Sequence, residues 1–264
     1  MAHLVANYPD PSGCLAAAEA LVEAGTRYLE VQIPFSDPSA DGRSIMNACA
    51  ATLEAGFSVA DAFHLVKELR TRYPEIPLFV MAYANLVVSP GLDAVVHRLH
   101  QVGVSGLIVP DLPFDRDEGL AAACSRCTDP VISAVPVAAP SMTRERLINM
   151  VSLGRPYLYA ALRTGITGQA TEIADSTREF LAHCRSGGSR VLGGFGIRSH
   201  AQALQVADHV HAVVAGSVFV DAIFKAVEAH GVVRNGGFQG SSRVRDEAIR
   251  NLVREQALEI IRGA

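Results

Sequence analysis

The sequence predicts an α/β fold: one (β/α)₈ barrel over residues 1–264, with extra short helices in the loops after strands two and eight. Three observations carry this. The chain has 264 residues, close to the ~250 typical of such a barrel as a single unit. Short β-rich apolar runs alternate with amphipathic stretches through eight cycles, and eight cycles in this length favour a closed barrel over an open sheet. No Ser/Gly linker, charge block or low-complexity tract divides the chain.

The expected strands are 3–6, 28–33, 78–82, 106–109, 131–135, 157–161, 190–193 and 212–215. Several are apolar at consecutive positions, as parallel strands covered on both faces are. Helices fill the intervals. Residues 14–24 put Leu15, Ala18, Leu21 and Val22 on one stripe and end at Gly25, a natural C-terminal stop. Residues 59–73 space Ala60, Phe63, Val66 and Leu69 helically and halt before Pro74, while 90–102 begins with proline and ends at Gly103. Stretches 143–153, 173–184, 199–207 and 243–262 follow the same scheme, and 43–55 and 216–230 are the extra loop helices.

Composition removes several function classes. Apolar residues make up 49% and charged residues 19%, enough for a core and without a disorder signature. A net charge of −4 is too weak to suggest nucleic acid or an anionic membrane as partner. Only two lysines occur, Lys67 and Lys225, both inside helical stretches, so a Schiff-base aldolase is disfavoured. Histidines do not gather at strand ends, which leaves no plausible metal ligand set. Five scattered cysteines, no signal peptide and no long apolar run point to a reducing cytosol. The pair Cys124 and Cys127 has C-x-x-C spacing on an outer helix, where ordinary packing is the simpler reading.

Chemistry in such barrels sits at the C-terminal strand ends, and carboxylates are the groups found there. Glu30 lies inside an apolar strand, where an unpaired carboxylate is costly to bury. It is either a proton shuttle at the barrel mouth or a structural carboxylate paired to an arginine. Asp41, in a Gly-containing loop, can swing over the same mouth or cap the next helix, whereas Asp37 before Pro38 reads as a turn residue. Asp111, between Pro110 and Pro113, suits a ligand contact or a rigid turn. Gly193-Gly194-Phe195-Gly196 and Gly216-Ser217, after strands seven and eight, offer the backbone N–H groups of a phosphate site. Gly165 and Gly168 suggest a lid.

These motifs resemble the alpha subunit family of tryptophan synthase. The matching stretches are Leu29-Glu30-Val31-Gln32-Ile33-Pro34-Phe35-Ser36-Asp37-Pro38, Ala40-Asp41-Gly42, Met81-Ala82-Tyr83-Ala84-Asn85, Pro110-Asp111-Leu112-Pro113, Arg163-Thr164-Gly165-Ile166-Thr167-Gly168, Gly194-Phe195-Gly196-Ile197 and Gly216-Ser217. They keep the family's order over nearly the whole chain. The resemblance implies a TIM-barrel lyase that cleaves indole-3-glycerol phosphate to indole and glyceraldehyde 3-phosphate without cofactor or metal. It makes Glu30 the acid/base and Asp41 the group that stabilises positive charge at the indole nitrogen. By the same matching Tyr159 lines the site, Thr167 is the lid threonine, and Gly168, Gly194, Gly196, Gly216 and Ser217 cradle the phosphate. Tyr83, Asp111 and Phe195 fall in the matching motifs as further substrate contacts.

The implied partner is a beta subunit in an αββα complex, with Asp37, Pro38 and Asn85 at matching interface positions. Three departures stand out: strand one begins where the family usually has a preceding helix, Arg43 and Met46 replace a usual Pro and Gln, and Val5 stands at an indole-lining aromatic position. The competing functions are a stand-alone lyase or isomerase on another phosphorylated substrate, and a non-catalytic activator of a beta subunit.

Overall fold

The computed structural model describes residues 1–162, 174–194, 196–230, 232–234, 237–239 and 242–263. Strands β1 (Ala2–Val5), β2 (Leu29–Gln32), β3 (Leu78–Met81), β4 (Gly106–Ile108) and β5 (Ser133–Val135) form a parallel ladder in chain order. A second ladder holds β6 (Val137–Ala138), β7 (Tyr157–Ala161), β8 (Arg190–Gly194) and β9 (Ala212–Val213). Two junctions close them into a barrel. The Pro136 carbonyl accepts from the Tyr159 N–H at 2.9 Å, so β5 and β6 are halves of one strand, interrupted at the proline that has no N–H to give. At the other junction the His3 N–H donates to the Ala215 carbonyl at 2.9 Å and the Ala215 N–H to the Met1 carbonyl at 3.1 Å.

Helices surround the barrel. The first, α1 (Pro11–Glu23), starts earlier than apolar spacing alone indicates, because Asp10 caps it. Its Oδ1 accepts from the Gly13 N–H at 2.9 Å and Pro11 takes the first turn. Then come α2 (Arg43–Glu54), the extra helix after strand two, and α3 (Val59–Arg72). The expected helix 90–102 is α5 (Leu92–Gln101), entered at Gly91 with φ +98°, and before it stands a short helix that spacing did not predict, α4 (Ala84–Val88). Next are α6 (Leu120–Ser125), α7 (Arg144–Ser152), α8 (Asp175–Arg185) and α9 (His200–Ala207).

The second extra helix is α10 (Ser217–His230), and α11 (Ser242–Arg262) ends the set. The last helix is tied to α1 by Arg245–Asp10 at 2.6 Å and Arg250–Glu19 at 2.5 Å. Between α10 and α11 lies an antiparallel hairpin, β10 (Val232–Arg234) with β11 (Gly237–Gln239), which periodicity did not predict. Asn235-Gly236 was its available sequence signal. Among the described residues no helix is long and apolar enough to cross a membrane.

Strand alternation decides which side chains meet inside. Leu29 and Val31 of β2, Leu78 and Val80 of β3, and Leu158 and Ala160 of β7 pack in the cluster between strands and helices. Their neighbours Phe79, Met81, Tyr157 and Tyr159 form the interior cluster. Phe79 and Tyr157 meet edge-on, with ring centroids 5.0 Å apart. Glu30 and Gln32 share β2 with Leu29 and Val31, and by the period of two they face the interior.

Candidate active site

An open-mouthed cavity sits in the barrel, lined by apolar Ile45, Met81, Ile108, Val137, Ile197 and Val214 and by polar His3, Glu30, Asp41, Tyr159 and Ser217. A pocket of mostly apolar walls with a few converging polar groups is the usual form of a small-molecule site. The strand register builds the polar side. His3 of β1 is the direct cross-strand partner of Glu30 on β2. Glu30 is 2% exposed, and Oε1 lies 3.4 Å from His3 Nδ1. Among the described residues its ion-pair partner is His3, not an arginine. Glu30 Oε2 is buried and has no hydrogen-bond partner among the described residues.

Asp41 is held differently. Gln32 Nε2 donates to its Oδ2 at 2.7 Å and the Tyr83 hydroxyl donates to the same oxygen at 2.8 Å. Tyr83 in turn accepts from the Ala40 N–H at 3.0 Å and stacks on Phe35. The N-cap of α2 is Gly42, without a side-chain bond, so Asp41 is not spent on capping. Burial pushes the Asp41 carboxyl up, against the opposing pull of the His3 charge and of the Tyr83 and Gln32 donors. Burial, with the carboxylates nearby, also raises both the Tyr83 and Tyr159 phenols, which therefore stay protonated donors.

The opposite side carries the glycine turns. Gly196, Gly216 and Ser217 line the cavity, and Ser217 opens α10, whose positive helix end suits an anion. The Arg198 guanidinium donates to Ser217 Oγ at 3.3 Å and to Asp221 at 2.8 Å, adding positive charge beside that helix end. Gly194 stands behind Tyr159: a Cβ there would lie 2.4 Å from the Tyr159 hydroxyl. We therefore expect Gly194→Ala to displace Tyr159 and raise KM about tenfold, read from steady-state kinetics on purified variant.

The structure brings together Glu30, Asp41, Tyr159, Gly196, Gly216 and Ser217 at one cavity. Tyr83 and Gly194 contact members of this group from outside the cavity wall. Asp111 does not line it. Its Oδ1 accepts from the Ala84 N–H at 2.8 Å, fixing the start of α4 on the neighbouring loop. Thr167, Gly168 and Phe195, with the lid segment, lie outside the described residues. Val5 packs in the strand–helix cluster, and the residue of β1 that lines the cavity is His3. His3, Gln32 and Arg198 were not singled out from sequence. A histidine and a glutamine within apolar strands, in register with or two residues from Glu30, were the signal that could have found the first two.

Comparison with known proteins agrees with this geometry. The family model described as "Tryptophan synthase alpha chain" matches residues 1–240. The tryptophan synthase alpha chain of Helicobacter hepaticus is 36% identical over 229 residues, spanning 83% of this chain and 84% of that one. That of Desulforapulum autotrophicum is 30% identical over 239 residues, spanning 90% and 91%. Among solved structures, tryptophan synthase of Mycobacterium tuberculosis superposes with a TM-score of 0.80 at 32% identity, over 98% of this chain and 91% of that chain. The tryptophan synthase complex of Pyrococcus furiosus gives 0.80 at 26% identity, over 98% and 96%.

Proposed function

The chain belongs to the tryptophan synthase alpha chain family, and from that premise we propose which of its residues perform the reaction. The activity is a carbon–carbon lyase step of tryptophan biosynthesis, the cleavage of indole-3-glycerol phosphate to indole and glyceraldehyde 3-phosphate. The observation that carries the assignment is the pair of buried carboxyl groups, Glu30 and Asp41, in one cavity with the N-terminus of α10.

In our reading the substrate phosphate sits at Gly196, Gly216 and Ser217, where backbone N–H groups and the positive helix end meet it. The indole ring lies against Ile108, Val137, Ile197 and their neighbours. Glu30 delivers a proton to indole C3, which places positive charge on the ring nitrogen, and Asp41 stabilises that charge. Glu30, now ionised, takes the proton of the side-chain hydroxyl next to C3. The O–H electron pair becomes the aldehyde C=O, the carbon–carbon bond breaks, and its electrons return to the ring and restore neutral indole. Protons and electrons balance within the substrate and one carboxyl group. General acid–base help of this kind contributes about 10²–10⁴-fold.

The partner we propose is a beta subunit in an αββα assembly. A relative from Pyrococcus furiosus is described as an α2β2 complex with mutual activation. Exposed Asp37, Arg43, Met46 and Asn85, in and beside the loops after β2 and β3, supply a face for it. Nothing in the proposed chemistry calls on nucleic acid or a membrane. The five cysteines are free thiols, which supports the cytoplasm as the compartment, and we treat residues 1–264 as one barrel unit. Incubation with indole-3-glycerol phosphate, alone and with a beta subunit, tests the activity. Indole is expected in both and faster in the second, and no indole in either defeats the assignment.

A further inference from the structure

Two carboxyl groups buried within one cavity repel each other and are costly to ionise together without a compensating positive charge. His3 is placed to supply it. The side chain is almost wholly buried, at 5% exposure for the residue, with Nδ1 3.4 Å from Glu30 Oε1. It is wedged between Glu30 and the phosphate cradle: a Cβ on Gly216 would come within 3.0 Å of His3 Cβ. Buried side-chain polar atoms without a hydrogen-bond partner are few in folded proteins. Here His3 Nε2, Glu30 Oε2 and Gln32 Oε1 are three of the seven among the described residues, and all three belong to this cluster.

We propose that His3 is a positioning residue for the lyase reaction: it holds Oε1 of Glu30, leaves Oε2 as the oxygen that meets substrate, and offsets the charge of Asp41 together with that of Glu30 once Glu30 has given up its proton. This rests on the activity assigned above. The charged and titratable groups around the His3–Glu30 pair come from several elements. They are Glu30 of β2, Asp41 of the loop after it, Tyr159 of β7 and the Met1 amino group, which donates to the Val213 carbonyl at 2.7 Å. Burial alone pushes the imidazole down, and the neighbouring Glu30 and Asp41 charges reverse this, so that it is raised above its ordinary value. His3 therefore stays charged further into the alkaline range than a free histidine. Turnover is expected to fall as pH rises through the titration of this coupled group.

The test has two arms on the full chain. In the first, kcat and KM for indole-3-glycerol phosphate are measured across pH for wild type and His3→Gln. The variant is expected to lose about 10–100-fold in kcat, the kinetic equivalent of one charged contact, with KM nearly unchanged and the alkaline limb gone. An unchanged kcat and alkaline limb would overturn the proposal. In the second, the His3 imidazole is titrated by NMR in wild type and in Glu30→Gln, where it remains in its native position. Its titration is expected to move to lower pH on loss of the neighbouring Glu30 carboxylate. An unchanged titration overturns the proposal even if His3→Gln fails to fold. Wild type that forms no indole defeats the assigned activity instead, and the NMR arm still reads the His3–Glu30 coupling.

Discussion

Glu30→Gln is expected to lower kcat by about 10²–10⁴-fold, equivalent to about 3–5 kcal/mol of transition-state stabilisation, while KM changes little. The substitution keeps the shape of the side chain and the cross-strand position beside His3, so the cavity survives. It removes the group able both to give a proton to indole C3 and to take one from the hydroxyl. The phosphate end, formed by Gly216 and Ser217, is untouched, which is why binding persists. The measurement is initial-rate indole formation with substrate affinity followed separately by calorimetry. A variant with most of its rate would transfer the acid/base role away from Glu30.

Asp41→Asn is expected to cost about 10²–10³-fold in kcat, the scale seen when one preorganised electrostatic partner is removed from a transition state. The amide is neutral and cannot balance positive charge at the ring nitrogen, although Tyr83 and Gln32 still surround it. The same variant has a stability consequence with a defined sign. Burial raises the Asp41 carboxyl above its unfolded value, so the folded state binds the proton more tightly than the unfolded chain. Its contribution to stability is then present at low pH and lost as pH climbs from about 4 through the raised folded value. Asp41→Asn removes that dependence. Thermal melts across this range should show the wild type losing ground with rising pH relative to the variant, and a parallel response of both would contradict the buried, ionisable Asp41 described here.

The barrel was legible because its signals are local. Eight apolar runs with helical stretches between them need no tertiary knowledge to count. The failures have equally local causes. Asp10 sits outside the apolar stripe of α1, so spacing alone missed the cap that starts it. The five residues of α4 are too few to show a helical period, so spacing passed over it, and Gly91 at φ +98° sets the start of α5 just inside the expected 90–102. Pro136 splits a strand whose ladder continues through the proline carbonyl.

The site divides along the same line. Glu30, Asp41 and the Gly216-Ser217 turn were recoverable from residue type, strand position and motif spacing. Strand pairing then decided which neighbours each of them meets. Register and the period of two turned Glu30 inward and set His3 opposite it. Loop closure brought Tyr83 and Gln32 onto one oxygen of Asp41, and the same structure gave Asp111 a capping bond to Ala84 instead of a place in the cavity. Sequence by itself determined the barrel, the placing of two candidate carboxylates at its strand ends and the lack of a suitable lysine, because these follow from composition and short-range pattern. Only the tertiary structure decided which polar groups share the buried space, because a charge in low dielectric is governed by its neighbours within a few ångströms, and those neighbours come from strands far apart in the chain.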